Sequence, residues 1–172
     1  MENIVVSIRK ASCQDIPDIL AIVKDAVKYM NANGNYQWSV NYPTKDVFLN
    51  DISLNELWVA VCGDVIAGVA AINMEHTPEY DTLVWEKRGE YWGIHRIAIS
   101  KQFKGKRVAE SFFQKAEDIA RESGTNYIRI DTNILNKSAQ RLFERLGYGY
   151  CGQVYFAKTE TPFVCYDKLL ED

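Results

Sequence analysis

The stretch from Leu57 to Met74 places the tightest constraint on the fold. Leu57 to Cys62 and Val65 to Met74 are rich in Val, Ile and Ala, and Gly63-Asp64 alone separates them. Two β-prone runs joined by such a pair specify an antiparallel hairpin. The other elements must extend or cover it. Ile4 to Lys10 alternates apolar and polar residues as a strand does. Ser12 opens a helix, with Asp15 three residues on as a short capping-box variant and Pro17 in the first turn. Ile16, Ile19, Leu20, Val23, Ala26, Val27 and Met30 then share one helical face, and Asn31 to Asn35 ends it with turn chemistry. Pro43-Thr44 opens a short second helix toward Ile52.

Past the hairpin, Glu75 to Glu90 reads as a polar, acidic connection, and Tyr91 to Ser100 as a strand. Residues 107–123 form an amphipathic helix with Val108, Phe112, Phe113, Ala116, Ile119 and Ala120 on one side, closed by Ser123-Gly124. Tyr127 to Asp131 is a buried strand and Ser138 to Leu146 a short helix ending at Gly147. Tyr150 to Phe156 and Val164 to Lys168 are two final strands. The order β-α-α-β-β-β-α-β-α-β-β predicts a mixed α/β (α+β) fold, a sheet flanked by helices in one domain over residues 1–172.

Composition narrows the function classes. No apolar run approaches the roughly 18 to 20 residues that span a bilayer, so no membrane association is expected. Met1-Glu2-Asn3-Ile4 has neither a basic region nor an apolar signal core, which predicts a cytoplasmic protein. A net charge of -3 argues against a nucleic-acid partner. Cys13, Cys62, Cys151 and Cys165 form no C-x-x-C pair, and His76 and His95 do not sit at ligand spacing, so no metal site is expected.

One local pattern runs against this background. Lys101, Lys104, Lys106 and Arg107 fall within seven residues that hold no acid, at the start of a helix. A helix N-terminus is already partly positive, so cations there are mildly unfavourable unless an anion binds in the turn. Unpaired N–H groups would grip phosphate oxygens while Gly105 lets the backbone approach. A Walker loop and a G-x-G-x-x-G fingerprint are both absent.

Gln102-Phe103-Lys104-Gly105-Lys106-Arg107, following Ile97-Ala98-Ile99, resembles the [RQ]-x-x-G-x-[GA] pyrophosphate loop of the GNAT superfamily of acyl-CoA-dependent acyltransferases. Asn136 to Tyr148 is similar to that family's N-x-x-A-x-x-L-[YF]-x-x-x-G-[FY] helix. The remaining elements fall in the GNAT order, so the resemblance covers essentially the whole chain. It implies a mostly antiparallel GNAT-like sheet and an N-acetyltransferase that moves an acetyl group from acetyl-CoA to a primary amine in a ternary complex. Arg107 departs from the pattern, taking the place of the loop's last small residue, with Val108 and Ala109 following.

By the same resemblance, Ile97, Ala98 and Ile99 pair with the pantetheine arm, and Phe103 through Ala109 hold the pyrophosphate. Asn136 and Ser138 then meet the pantetheine or acyl region, and Ala139, Leu142 and Phe143 line the cofactor beside its sulfur. Many family members protonate the leaving thiolate from a Tyr where this chain has Phe143, so Tyr148 or Tyr150 is expected to substitute. His95 is the first candidate for the base, since imidazole titrates near neutrality, and Glu75 the second.

Tyr36, Trp38 and Tyr42 follow the first helix, where the family builds acceptor walls. Glu79, Tyr80, Asp81, Trp85 and Glu86 add acidic and aromatic groups suited to a cationic amine. Small-molecule and peptide amines both fit, and a homodimer is compatible with the chain. Two other readings stay open: a CoA-binding protein that does not catalyse, which Phe143 and Arg107 keep alive, and a basic-patch nucleic-acid module.

Overall fold

The computed structural model describes residues 4–157 and 159–171; Met1-Glu2-Asn3 lies outside them. Elements follow the expected order: β1 (Ser7–Lys10), α1 (Ile16–Ala32), α2 (Lys45–Ser53), β2 (Leu57–Cys62) and β3 (Val65–Asn73). They continue as β4 (Trp92–Ile99), α3 (Val108–Glu122), β5 (Tyr127–Asn133), α4 (Lys137–Arg145), β6 (Gly149–Val154) and β7 (Phe163–Leu169). The strands form one seven-stranded sheet in the order β1-β2-β3-β4-β5-β7-β6. Every pairing is antiparallel except β4 with β5.

The Gly63-Asp64 hairpin forms as expected and puts β3, buried from Ala67 to Asn73, near the middle of the sheet. At the N-terminus the first strand is shorter than the alternation predicts, because pairing with β2 starts at Ser7. Ser12 and Asp15 do form the capping box, and Ser12 N donates to Asp15 Oδ2 at 2.8 Å. That box closes a 3₁₀ turn at Cys13–Asp15 before α1 begins, and Arg9 clamps the Asp15 carboxylate from β1 at 2.8 and 2.9 Å.

Strand alternation divides the core. Ile72, Ile94, Ile128, Ile130 and Val164 point to one face, where Phe112, Phe113 and Ala116 of α3 and Phe143 of α4 cover them. Val59, Val69, Ala71 and Ala98 point to the other, against Ile19, Val23 and Val27 of α1 and Phe48 of α2. Neither helix layer reaches the β5-β7-β6 end of that second face.

The polar, acidic connection between β3 and β4 covers it instead, its aromatic residues turned inward. Pro78–Thr82 folds as a 3₁₀ turn that buries Tyr80, and Tyr91, Tyr127, Val154, Phe163 and Cys165 pack with it. Arg129 lies in this layer with its guanidinium 4.3 Å from the Trp85 ring and 4.4 Å from Tyr91, and it donates to Lys87 O at 2.8 Å. The aromatic faces replace the water a buried cation gives up.

Candidate active site

Two irregularities in β4 shape the site. Val69 pairs with Ala98 but Ala71 pairs with His95, so Arg96 and Ile97 together oppose Ala70 as a β-bulge. Arg96 takes φ +52 there. The extra residue sets both His95 and Ala98 on the α1 face, while Ile97 and Ile99 pack with the α3 layer. The second irregularity is a splay. β4 and β5 pair at Trp92 with Ile128 and at Gly93 with Arg129, and then part. The β5-facing edge of Ile94 to Ile99 therefore has no strand to satisfy its backbone groups, and a ligand carrying amides could take that place.

Arg96 locks the bulge to α2. It donates Nε to Asp51 Oδ2 at 2.8 Å and Nη2 to Asp51 Oδ1 at 2.7 Å, with Tyr42 Oη 3.4 Å from Nη1. Burial works against the guanidinium charge, but the Asp51 carboxylate more than offsets it and holds the pKa above its ordinary value. Nothing in the sequence signals this pair, because the two residues lie 45 positions apart on different elements.

Beyond the bulge the chain enters the basic turn. Gly105 has φ +76, with open space where a side chain would stand, and Arg107 has φ +61 as the residue before α3. No side chain caps α3, and the one acid in its first turn, Glu110, is ion-paired with Arg145. The first N–H groups of α3 are thus free of an intrahelical partner. Lys104 lies over the Tyr29 ring at 3.9 Å, Lys106 over Phe103 at 5.8 Å, and Lys101 lies 3.7 Å from Asp25, so α1 and Phe103 seat the cations. The uncapped helix, the open glycine and the cations fit a pyrophosphate. The departure at Arg107 has a conformational side: it is a non-glycine residue in the left-handed region, where the family pattern has a small one.

At the far side of the splay, Asn136 caps α4, its Oδ1 accepting from Ala139 N at 3.2 Å and from Ser138 Oγ at 3.1 Å. Ala139 and Leu142 are half-buried beside it. Val108 and Phe143 are buried in the α3 layer, Phe143 against Phe113 and Tyr166, so both are core residues first.

The expected proton carriers separate. Gly93 leaves room for the His95 ring, since a Cβ there would stand 2.7 Å from His95 Nε2. His95 keeps some exposure as a residue, yet Nε2 is sealed and lacks a hydrogen-bond partner. Desolvation first, and the Arg96 charge second, push its pKa down to about 4. Glu75 is exposed at the end of β3. Tyr148 is buried in the α3 layer with its hydroxyl on Glu117 at 3.3 Å, and burial drives its pKa well up. As a donor to a departing thiolate it is badly placed. Tyr150 is exposed on β6 against Tyr166.

The acceptor candidates also sort. Tyr36 and Tyr42 are exposed on the loop after α1. Trp38 is buried under that loop, where its carbonyl accepts from Asn31. Trp85 donates Nε1 to Tyr80 O at 2.8 Å and lies against Tyr80 and the Arg129 guanidinium, so its ring serves packing. Among the residues the sequence reading passed over is Asp131. It and Arg129 alternate along β5 like solvent-facing charges, and the connection that covers them is what buries them.

Residues 24–148 match the family model described as Acetyltransferase (GNAT) family, and this chain belongs to that family. A GNAT-family acetyltransferase structure from Streptococcus agalactiae 2603 superposes with a TM-score of 0.85 at 28% identity, covering 99% of this chain and all of that one. The structure of YncA from Salmonella typhimurium, solved with its cofactor acetyl-CoA, superposes at 0.68 with 16% identity, covering 97% of this chain and 95% of that one. The uncharacterized N-acetyltransferase YesJ of Bacillus subtilis is 22% identical over 143 residues, 81% of this chain and 79% of the relative. Among the described residues no helix is long and apolar enough to cross a membrane.

Proposed function

We propose that this protein is an N-acetyltransferase that uses acetyl-CoA to acetylate a primary amine by direct attack in a ternary complex. One observation carries the reading: β4 leaves β5 at Gly93, and its open edge runs directly into the basic, uncapped start of α3. A thioester supplies an activated acetyl group. The N–H groups along residues 94–99 are placed to hold an elongated amide-bearing arm, and Gly105 through Ala109 to hold its pyrophosphate. The YncA structure with acetyl-CoA, on the same fold, supports this choice of cofactor.

An amine attacks only when neutral, and a free alkylamine has a pKa near 10.4, so a proton must leave it. His95 and Glu75 remain candidates to receive that proton. With its pKa about 4, His95 is neutral at working pH and able to accept, though only as a weak base. The buried Tyr148 hydroxyl leaves no tyrosine obviously aimed at the thiolate, so its proton is assigned to solvent.

Calorimetry with CoA followed by a thiol-release screen over an amine panel tests the reading. Micromolar CoA binding and acceptor-dependent thiol release are expected. No CoA binding at high micromolar concentration overturns it. CoA binding with no acceptor raising thiol release above background would replace it with a non-catalytic CoA-binding protein.

A further inference from the structure

The splay has a second occupant besides β4. We infer that Asp131, seated by Tyr80 across the splay from His95, binds the ammonium group of a cationic alkyl amine lacking a carboxylate and accepts its proton. The inference rests on the acetyltransferase reading above and names its acceptor class.

Placement comes first. Gly93 pairs with Arg129 in parallel register, so two residues on, His95 and Asp131 stand abreast on the same sheet face, where the strands have parted. Asp131 is half-buried, and Tyr80, itself buried, donates its hydroxyl to Asp131 Oδ2. The carboxylate is thereby fixed by one oxygen and largely desolvated, on the β5 side of the place where the two strands part. On β4, His95 Nε2 is packed against Gly93, buried and without a hydrogen-bond partner.

Charge selects the acceptor. The groups that face Asp131 are Tyr80 and Glu79 from the 3₁₀ turn and Cys165 across from it on β7, with Arg129 two residues back on the same face of β5. Arg129 is the one cation among them, and it is buried against the Trp85 and Tyr91 rings with its Nη2 on Lys87 O. Arg96, the nearby guanidinium, is already held by both oxygens of Asp51. An amino acid brings a carboxylate that would find no free partner here, whereas a diamine brings charge the site can match.

Basicity agrees with the placement. Burial raises the Asp131 carboxyl to about 6, the Tyr80 hydrogen bond holding it down and Glu79 adding to the rise. His95 stands near 4, so Asp131 is the stronger base of the two. The ammonium gives one proton to the Asp131 carboxylate, which releases it to water. The freed lone pair forms the N–C bond as the C–S bond breaks with its electrons on sulfur. The amide nitrogen then sheds its second proton to water, and the CoA thiolate takes one up from water. The products are the amide, CoA and one proton.

The test compares 1,4-diaminobutane with 4-aminobutanoate, matched in length, using the full chain and its Asp131→Asn and Tyr80→Phe variants. Expected results are a kcat/KM at least tenfold higher for the diamine and an acid limb near pH 6 in the parent. Asp131→Asn should lose at least a hundredfold in kcat/KM while binding CoA normally, and calorimetry with CoA present should show diamine binding at least tenfold weaker. Tyr80→Phe removes a donor that favours the ionised carboxylate, so its acid limb should move to higher pH, which a purely structural role would not produce. An acid limb near pH 4, diamine affinity within twofold of the parent in Asp131→Asn, or no preference over 4-aminobutanoate overturns the assignment. Loss of CoA binding in the parent itself would instead overturn the acetyltransferase reading beneath it.

Discussion

Gly105 and Arg107 both hold left-handed backbone within three residues, but for different reasons. At Gly105 the absent side chain leaves open space for an anion, whereas Gly63 has the same sign of φ at a hairpin tip away from the site. Gly105→Val and Gly63→Val should each cost about 1 kcal/mol in urea unfolding, because each forces a β-branched residue into that region. Gly105→Val alone should weaken CoA binding, by tenfold or more in calorimetry; equal CoA affinity for the two variants would remove Gly105 from the pyrophosphate site. Asp131 and His95 make a second residue-scale case. The Asp131 value of about 6 lies above the ordinary 3.8, so its contribution to stability is full at low pH and is lost as pH rises to about 6. The His95 value of about 4 lies below 6.5, so its contribution is lost as pH falls from 6.5 to about 4. Between pH 4 and 6 the two slopes oppose. Relative to the parent, Asp131→Asn should lose stability as pH drops through that window, and His95→Gln should gain it, each by up to about 3 kcal/mol. Thermal melts across pH 4–7 read this directly, and parallel curves for all three proteins would refute it.

Among elements, the joint between α2 and the β4 bulge matters most. The Asp51 and Arg96 side chains are 4% and 13% exposed, so deleting one partner strands the other's charge. Asp51→Ala should therefore cost about 3 kcal/mol in urea unfolding, and Asp51→Ala with Arg96→Met should recover much of that loss. Additive losses in the double variant would mean the pair is not coupled. The bulge itself also sets which side chains reach the site. Without the extra residue Ile97 would point to the α1 face and Ala98 to the α3 face, exchanging the two surfaces beyond His95.

For the whole molecule, the parted sheet is the main dynamic feature. Residues 94–99 on β4 lack a β5 partner, so their outward N–H groups should exchange faster than those of β3 and slow on adding acetyl-CoA, as followed by hydrogen exchange. No protection there with acetyl-CoA bound would place the cofactor elsewhere. Much of this architecture was legible beforehand, since the hairpin, the helical faces of α1 and α3, the basic turn and the Asn136 helix are local patterns with periods of two or 3.6. The turn could be read as an anion site because helix-end charge and neighbouring cations belong to one stretch of chain. What the β3–β4 connection covers was not legible, because its acids face water while Tyr80, Trp85 and Tyr91 find a sheet face that composition does not reveal. Tyr148 looked available for the same reason; its burial against Glu117 is a contact 31 residues away. By itself the sequence determined the elements, their order and the basic turn before α3, all of which depend on near neighbours. Tertiary structure alone decided the bulge at Arg96, the parting of β4 from β5 and the meeting of Asp131 with Tyr80, because each sets side chains together that the chain holds far apart.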